Sequence, residues 1–427
     1  MNLLYNFFIY FYYFLIKTAS IYNSKARTWI DGRKNIFEKM FFNSHEDDKL
    51  IWFHCSSLGE FEQGRPVMER LKRENPEFKL LLTFFSPSGF KVKKNYPHAD
   101  YVFYLPLDKP SNAKKFLDIW NPTMAVFIKY ELWYNYINEL YKRNIPLLLV
   151  SAIFRKNQHF FKFYGSWFRK QLKKITYILV QNRESQNLLL ESGIKNVSLS
   201  GDTRFDRVYD ISLKPERFGE IENFIQASII FMAGSTWPKD EELLADLINK
   251  NYKGIKYIIA PHEINTHKIN NFCKKIKGKS VKLSDTDKSG FPEAQVLILD
   301  RIGILSHVYQ YASIAYVGGG FGKGIHNILE AAVFGMPVLF GPNYKKFTEA
   351  SELIKHGGAF PISNSNELTT ITYKILSDYQ ILKKTSSCAK EYVKQKKGAT
   401  DKTISVINAI IAPKHYLKVK SNSFNMN

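Results

Sequence analysis

His326, Asn327 and Glu330 are spaced to act together: Glu330 follows His326 by four residues and Asn327 by three, so on a helix all three share one face. They lie within SIAYVGGGFGKGIHNILEAAVFGMPVLFGP, residues 313–342. In that stretch a β-branched and aromatic run, Ser313–Val317, ends in Gly318-Gly319-Gly320. A helix is then expected to open near His326-Asn327, to end at Gly335, and to give way to a second apolar run at Pro337–Phe340. Such a helix start faces the carboxyl end of a strand, where open α/β sheets bind ligands. Its free N–H groups and dipole suit a phosphate or carboxylate, and adjacent glycines let a ligand lie against backbone. Imidazole and amide can donate to a phosphodiester, and a carboxylate one turn later can take both ribose hydroxyls. This set fits a nucleotide-sugar better than ATP, because the chain contains no GxxxxGK[ST] loop. The same residues also read as a tight βα turn with a capping Asn and a solvated Glu.

A second candidate is Glu60. An apolar run ends at Cys55 and passes through Ser56-Ser57-Leu58-Gly59-Glu60 into an expected helix. Glu60 then sits in the first helical turn at the carboxyl edge of a sheet, where the helix dipole favours its ionised form and suits a general base. Ser57-x-x-Glu60 is equally a capping box that needs no catalysis. From these residues alone both readings stand.

These groups must be positioned by a large α/β scaffold. Apolar runs at Leu50–His54, Leu80–Phe84, Tyr101–Tyr104, Met124–Ile128, Leu147–Val150, Tyr177–Val180 and Val197–Ser200 alternate with amphipathic stretches such as Phe61–Lys72 and Asn112–Trp120. A second series runs through Ile229–Ala233, Ile255–Ala260, Val296–Leu299, Ile314–Val317 and Val338–Phe340. Between them Arg207–Gln226 lacks a strong apolar period and carries Pro215, which marks a linker. The expected architecture is two Rossmann-like domains, 46–206 and 227–412, with parallel sheets facing across a cleft. They are flanked by an N-terminal segment, 1–45, and a polar tail, 413–427, expected to be disordered.

Composition limits the partners. Among 427 residues, 61 Lys and Arg stand against 39 Asp and Glu, and the net charge of +22 calls for an acidic surface, either nucleic acid or anionic lipid. Three scattered cysteines form no CxxC pair or disulfide framework, and no metal-ligating cluster accompanies the candidate site. Leu3–Ile16, LLYNFFIYFYYFLI, is almost wholly apolar and aromatic and is followed by Lys17, Lys25, Arg27, Arg33 and Lys34. It is shorter than the roughly 20 residues that span a bilayer upright. An embedded or interfacial membrane anchor with a cytoplasmic domain behind it is expected, the other reading being a buried helix. Residues 154–175 interleave aromatics, including Trp167, with Arg155, Lys162, Arg169, Lys170 and further basic residues, and contain no acid. That pattern suits single-stranded nucleic acid, but beside an anchor it reads as a second membrane-facing surface, so an anionic membrane and no nucleic acid is the expectation.

Taken together, HCSSLGE (54–60), TFFSPSGF (83–90), YLPLDKP (104–110), ELWYN (131–135), VQNRES (180–185), GDTRFD (201–206), AGSTWPKDEE (233–242), IAPHE (259–263), the glycine segment and VLFGPNYKKFTEA (338–350) resemble, in order and spacing, the Kdo transferases of lipopolysaccharide synthesis. The resemblance implies an inverting glycosyltransferase of the GT-B class with an N-terminal membrane-anchoring helix. Such an enzyme moves Kdo (3-deoxy-D-manno-octulosonic acid) from CMP-Kdo to a lipid A precursor, on the cytoplasmic face of the inner membrane of a Gram-negative-type bacterium. It implies Glu60 as the catalytic base and Glu131 as a second acid beside the acceptor. Ser235, Thr236, Gly303, Gly319, Gly320, His326, Asn327 and Glu330 become the donor-binding set of the second domain, with Arg155, Lys162, Trp167, Arg169 and Lys170 facing acceptor or membrane; no cofactor or metal is implied. This chain departs from the family pattern in three places: Lys129 and Tyr134 replace an acid and a proline around Glu131, His262 stands where the family has an arginine, and Ile304 replaces an acid after Gly303. Other readings are a GT-B enzyme such as a heptosyltransferase, a nucleotide-sugar epimerase, or a non-catalytic anionic-lipid binder in which Glu60 is only a cap.

Overall fold

The computed structural model describes residues 1–44, 49–129, 131–250 and 252–412, which divide into two compact units. In the first, seven parallel strands form one sheet: β1 Leu50–Cys55, β2 Lys79–Phe84, β3 Tyr101–Tyr104, β4 Met124–Ile128, β5 Leu147–Ala152, β6 Tyr177–Val180 and β7 Val197–Leu199. Their order is β3-β2-β1-β4-β5-β6-β7. Helices cover both faces, so β1, β4 and β5 are buried along their whole length and read as continuous apolar runs rather than alternating ones. One face packs Trp52, Phe116, Phe127 and Tyr136; the other packs Phe53, Phe61, Phe84 and Ile128. The direction in which successive strands are added reverses between β1 and β4, and a doubly wound sheet opens its ligand crevice at the carboxyl ends of such a strand pair.

The second unit repeats the plan with β8 Ile229–Thr236, β9 Ile255–Pro261, β10 Ser280–Lys282, β11 Val296–Ile298, β12 Ile314–Val317, β13 Val338–Phe340 and β14 Ala359–Pro361. All pair in parallel in the order β10-β11-β9-β8-β12-β13-β14, which puts the switch point between β8 and β12. The sequence reading missed β10 and β14. Both are three-residue edge strands, mostly half-buried, without the apolar run that marks a central strand.

Two boundaries read differently in the structure. Arg207–Gln226 is largely helical, over Thr203–Leu213 and Gly219–Ile225, because Val208, Phe218, Ile221 and Phe224 supply enough buried apolar surface despite the irregular period. The last helix, Ala399–Ile411, belongs to the first unit although it follows the second in sequence. Ile404 and Ile407 join the Phe61 core, and Asp206 caps its start by accepting from the N–H of Gly398 and from the N–H and hydroxyl of Thr400. The tail expected to be disordered, 413–427, lies outside the described residues.

The N-terminal helix Asn2–Ala19 puts Tyr5, Ile9, Tyr13 and Ile16 against the first unit. Polar ties fix its rotation: Tyr5 donates to the buried Asp108, the Asn135 amide to Asn6 Oδ1 at 2.9 Å, and the Trp167 indole to Asn2 Oδ1 at 2.9 Å. Its remaining surface exposes Leu3, Phe7, Phe8, Phe11, Phe14 and Leu15. Among the described residues no helix is long and apolar enough to cross a membrane.

Candidate functional site

Glu60 and Glu131 are brought together at the switch point of the first sheet. Glu60 lies in the first turn of the helix Leu58–Glu74, directly after β1, and Glu131 lies in the loop after β4, the strand beside β1. The capping box forms: Ser57 N–H donates to Glu60 Oε2 at 3.0 Å. Ser56 donates its hydroxyl to Glu131, and the two carboxyls are themselves hydrogen-bonded. Both are largely withdrawn from water, Glu60 to 8 % exposure. Adjacent carboxyls in such a place cannot both ionise, so their environments decide which one keeps the proton. Burial raises the pKa of Glu60, but the Lys129 charge and the N–H groups of Ser57 and Ser56 oppose it. Burial and the Glu60 charge push Glu131 up to about 7, against hydrogen bonds from Ser56 and Trp133. The Lys129 charge and the Ser56 and Ser57 N–H groups favour ionisation of Glu60, while burial and the Glu60 charge favour protonation of Glu131, so the pair's shared proton is held preferentially by Glu131. Lys129, the residue that departs from the family pattern, supplies the charge that favours the ionised form of Glu60. It sits just past β4 with φ +72°, a left-handed conformation uncommon for a side-chain-bearing residue and typical of strained functional loops.

Glu131 has a consequence for stability. Its folded-state pKa of about 7 exceeds the ordinary 4.5, so the native state binds more proton between those values. The stability it contributes is complete below 4.5 and is lost as pH rises through about 7. Glu131→Gln removes this titration, so chemical denaturation should show a smaller loss of stability than wild type across that window. Superimposable pH profiles would show that Glu131 does not hold the shared proton.

Two neighbours of the pair escaped the sequence reading. His54, buried in β1, receives the Trp133 indole N–H on Nε2 at 3.0 Å and pairs through Nδ1 with Thr83 Oγ1 at 2.9 Å. Burial drops its pKa to about 3, so it stays neutral and positions Trp133, two residues from Glu131. Its only sequence signal was its place inside HCSSLGE.

In the second unit the expected donor residues other than Gly303 gather at the β8/β12 switch point. Ser235 forms a bulge at the end of β8 with φ +54°, and the buried Thr236 donates to Glu241 Oε1 at 3.2 Å. The glycine segment follows β12. Gly319 adopts φ +91°, and a β-carbon on Gly320 would lie 2.6 Å from the Gly341 backbone, so neither position accepts another residue without displacement. The helix expected to open at His326-Asn327 opens instead at Leu329 and is a single turn, Leu329–Ala332. His326 N–H bonds to Gly318 O, which holds this segment as a loop folded back on the strand end. Asn327 caps the turn by accepting from Leu329 N–H and donates its amide to Glu330 Oε1 at 3.0 Å. Burial raises the Glu330 pKa, opposed by Arg207 and by the Asn327 amide.

His326 Nε2 accepts the Trp237 indole N–H at 2.9 Å, and the two rings are nearly coplanar, 9° apart. His262, the residue in the family's arginine position, stacks on both, 4.6 Å from Trp237 and 4.3 Å from His326. Burial, with the His262 charge beside it, lowers the His326 pKa to about 4. The ring is neutral with its proton on Nδ1, which makes Nδ1–H the donor available to an anion. Asp240 was missed altogether. It is 1 % exposed and accepts from Trp237 N–H at 2.9 Å, Tyr316 OH at 2.6 Å and Gly319 N–H at 2.9 Å, tying the helix after β8 to the glycine segment. Gly303 does not join the cluster by any contact among the described residues; it occupies an open turn with φ +93°.

The basic segment is only partly helical, a short turn at His159–Phe161 and a helix at Ser166–Leu172, because Gly165 packs where a β-carbon would meet the His159 carbonyl at 2.2 Å. Arg155, Lys162 and Lys170 are exposed. Trp167 turns inward against Tyr134 and the N-terminal helix, and Arg169 bonds the carbonyls of Phe160 and Lys162. Phe163, 95 % exposed, and Tyr164, 49 % exposed, face outward. No group of three or more His, Cys, Asp or Glu that could hold a metal ion occurs among the described residues.

Residues 34–207 match the family model described as 3-deoxy-D-manno-octulosonic-acid transferase (kdotransferase). The chain is 31 % identical over 338 residues to the 3-deoxy-D-manno-octulosonic acid transferase of Aquifex aeolicus (strain VF5), covering 77 % of this chain and 86 % of that protein. Among solved structures, a glycosyltransferase from Rickettsia africae superposes with TM-score 0.56 at 13 % identity, covering 86 % of this chain and all of that one. A UDP-GlcNAc 2-epimerase from Neisseria meningitidis superposes with TM-score 0.58 at 14 % identity, covering 84 % and 99 %. The two structures show the GT-B fold, which transferases and epimerases share, and leave the chemistry to the sequence match. On that match, over most of its length, this chain belongs to the 3-deoxy-D-manno-octulosonic acid transferases, glycosyltransferases of lipopolysaccharide synthesis.

Proposed function

We propose that the chain transfers Kdo from CMP-Kdo to a lipid A precursor with inversion at the anomeric carbon, using the acceptor site of the first unit and the donor site of the second. The observation that carries this reading is the carboxyl pair at the first switch point, whose surroundings favour ionisation of Glu60 and protonation of Glu131. Glu60 accepts the proton of the acceptor's sugar hydroxyl as that oxygen bonds to the anomeric carbon of Kdo. The bond from that carbon to the CMP phosphate oxygen breaks, and CMP leaves with the electron pair. Glu131, protonated, hydrogen-bonds Glu60 and fixes the orientation of its lone pairs. In the second unit, His326 Nδ1–H and the glycine-segment backbone meet the departing phosphate charge, and Glu330 takes the ribose hydroxyls.

Membrane attachment on the cytoplasmic face of the inner membrane belongs to the same proposal. It is supported by the exposed face of the N-terminal helix, with Phe7 62 % exposed, and by the outward Phe163 beside exposed lysines. That helix would lie in the interface rather than span it.

Incubation with CMP-Kdo and a lipid A precursor should release one CMP for each Kdo transferred. His326→Ala should weaken CMP-Kdo binding by about 1–3 kcal/mol, the cost of one charge-assisted contact. Donor affinity equal to wild type in that variant would move the phosphate away from His326.

A further inference from the structure

Glu131 and Trp133 lead into the helix Tyr134–Lys142, whose first N–H groups receive no side-chain cap from their own turn. The cap comes from far away in sequence. Asp108, buried in the segment after β3, accepts the Asn135 N–H on Oδ2 at 3.2 Å and the Tyr136 N–H on Oδ1 at 3.1 Å. The same Oδ2 accepts the Tyr5 hydroxyl of the N-terminal helix at 2.5 Å. The Asn135 side-chain amide completes the assembly, donating to the Asp108 carbonyl at 2.6 Å and to Asn6 Oδ1 at 2.9 Å. One carboxylate therefore ties the N-terminal helix to the start of the helix that follows Glu131.

Tyr134 stands where the family has a proline. Proline at the first position of a helix presets its φ, and tyrosine does not. Its ring instead lies edge-on against Tyr5, centroids 5.0 Å apart, and against Trp167 at 4.8 Å, and the Trp167 indole donates to Asn2. A second path reaches the carboxyl pair itself. Tyr12 of the N-terminal helix stacks on Phe85 at 6.4 Å, Phe85 lies 4.5 Å from Trp133, and Trp133 hydrogen-bonds both His54 and Glu131. The exposed Leu3, Phe7, Phe11 and Phe14 of the same helix take no part in these contacts. We propose that Tyr5, Asn6 and Asp108 are positioning residues for the reaction: the seated N-terminal helix fixes the start of the helix Tyr134–Lys142, and through it the loop that holds Glu131 against Glu60. This role is separate from attachment to a membrane, and it rests on the reading of the carboxyl pair as catalytic.

The test is transfer by the full chain from CMP-Kdo to a detergent-dispersed lipid A precursor, with kcat and KM separated, beside hydrogen exchange of the helix Tyr134–Lys142 read by mass spectrometry. Tyr5→Phe keeps the ring and loses only the hydroxyl, and Asn6→Ala removes one acceptor of the Asn135 amide. Each should lower kcat roughly tenfold through a misplaced catalytic loop, with KM for donor and acceptor unchanged. Binding to anionic vesicles should also stay at the wild-type level, because both residues face the first unit. Exchange at the start of the helix should quicken about tenfold, the loss of roughly one hydrogen bond, with the rest of the chain unaffected. Unchanged exchange in both variants overturns the proposal, and so does faster exchange with wild-type kcat. Weaker vesicle binding with kcat intact also overturns it, since the helix would then be an anchor alone. Glu60→Gln in the same assay keeps the two readings apart: wild-type turnover there removes the carboxyl pair from catalysis, while exchange, which needs no substrate, still decides whether the N-terminal helix holds the loop.

Discussion

Glu60→Gln is expected to abolish nearly all transfer while leaving the fold intact. Gln at this position can still accept the Ser57 N–H through its amide oxygen and complete the capping box, so the helix Leu58–Glu74 keeps its start. An amide cannot take a proton at neutral pH. The variant should melt near the wild-type temperature and bind CMP-Kdo normally, with its turnover reduced roughly 10²–10⁴-fold, the usual contribution of a positioned general base. The structure shows the cap, and the Lys129 charge favours the ionised form of the same side chain, so the two roles are compatible and only kinetics separates them. Near-wild-type turnover by Glu60→Gln would remove Glu60 as the base and transfer that role to Glu131, the other member of the pair.

Asp240→Ala should produce the largest structural effect in the second unit. One buried carboxylate accepts from Trp237 N–H, Tyr316 OH and Gly319 N–H, and among the described residues these donors have no other acceptor. Each donor stranded in a dry site costs about 1–3 kcal/mol, so a loss of several kcal/mol is expected. Because Gly319 N–H and the Trp237 turn flank the proposed phosphate site, donor affinity should fall with stability. Asp240→Asn should recover little, since its amide N–H₂ faces donors. Denaturant unfolding followed by a probe in the second unit, alongside CMP titration, reads both effects. Unchanged unfolding in Asp240→Ala would show that the glycine segment keeps its shape without this anchor.

The central strands were legible in the sequence because burial on both faces leaves them as unbroken apolar runs. The edge strands β10 and β14 were not, since a half-buried three-residue strand has no run to recognise. The placement of Glu60 and the His326–Glu330 segment after strand ends was legible because each follows an apolar run that breaks into a Gly- or Ser-rich turn. The helix start was misplaced by three residues at Leu329: a hydrogen bond from His326 N–H to Gly318 O, a tertiary event of the glycine turn, outweighs local helical spacing.

By itself, then, the sequence determined the α/β class, the family and the residues at the strand ends, because those depend on residue type and order along one chain. It could not determine which of two carboxyls keeps a proton. That depends on Lys129 and Ser56 lying beside particular members of the pair, after β4 and β1, strands brought next to each other only by the sheet order. Nor could it show that Asp240 anchors the glycine segment, since its partners Tyr316 and Gly319 lie more than 70 residues away in sequence. The last helix shows the same limit: it follows the second unit in the chain but packs in the first, because the apolar surface that buries Ile404 and Ile407 is there. Burial and proton sharing are properties of the assembled neighbourhood, and only the tertiary structure supplies it.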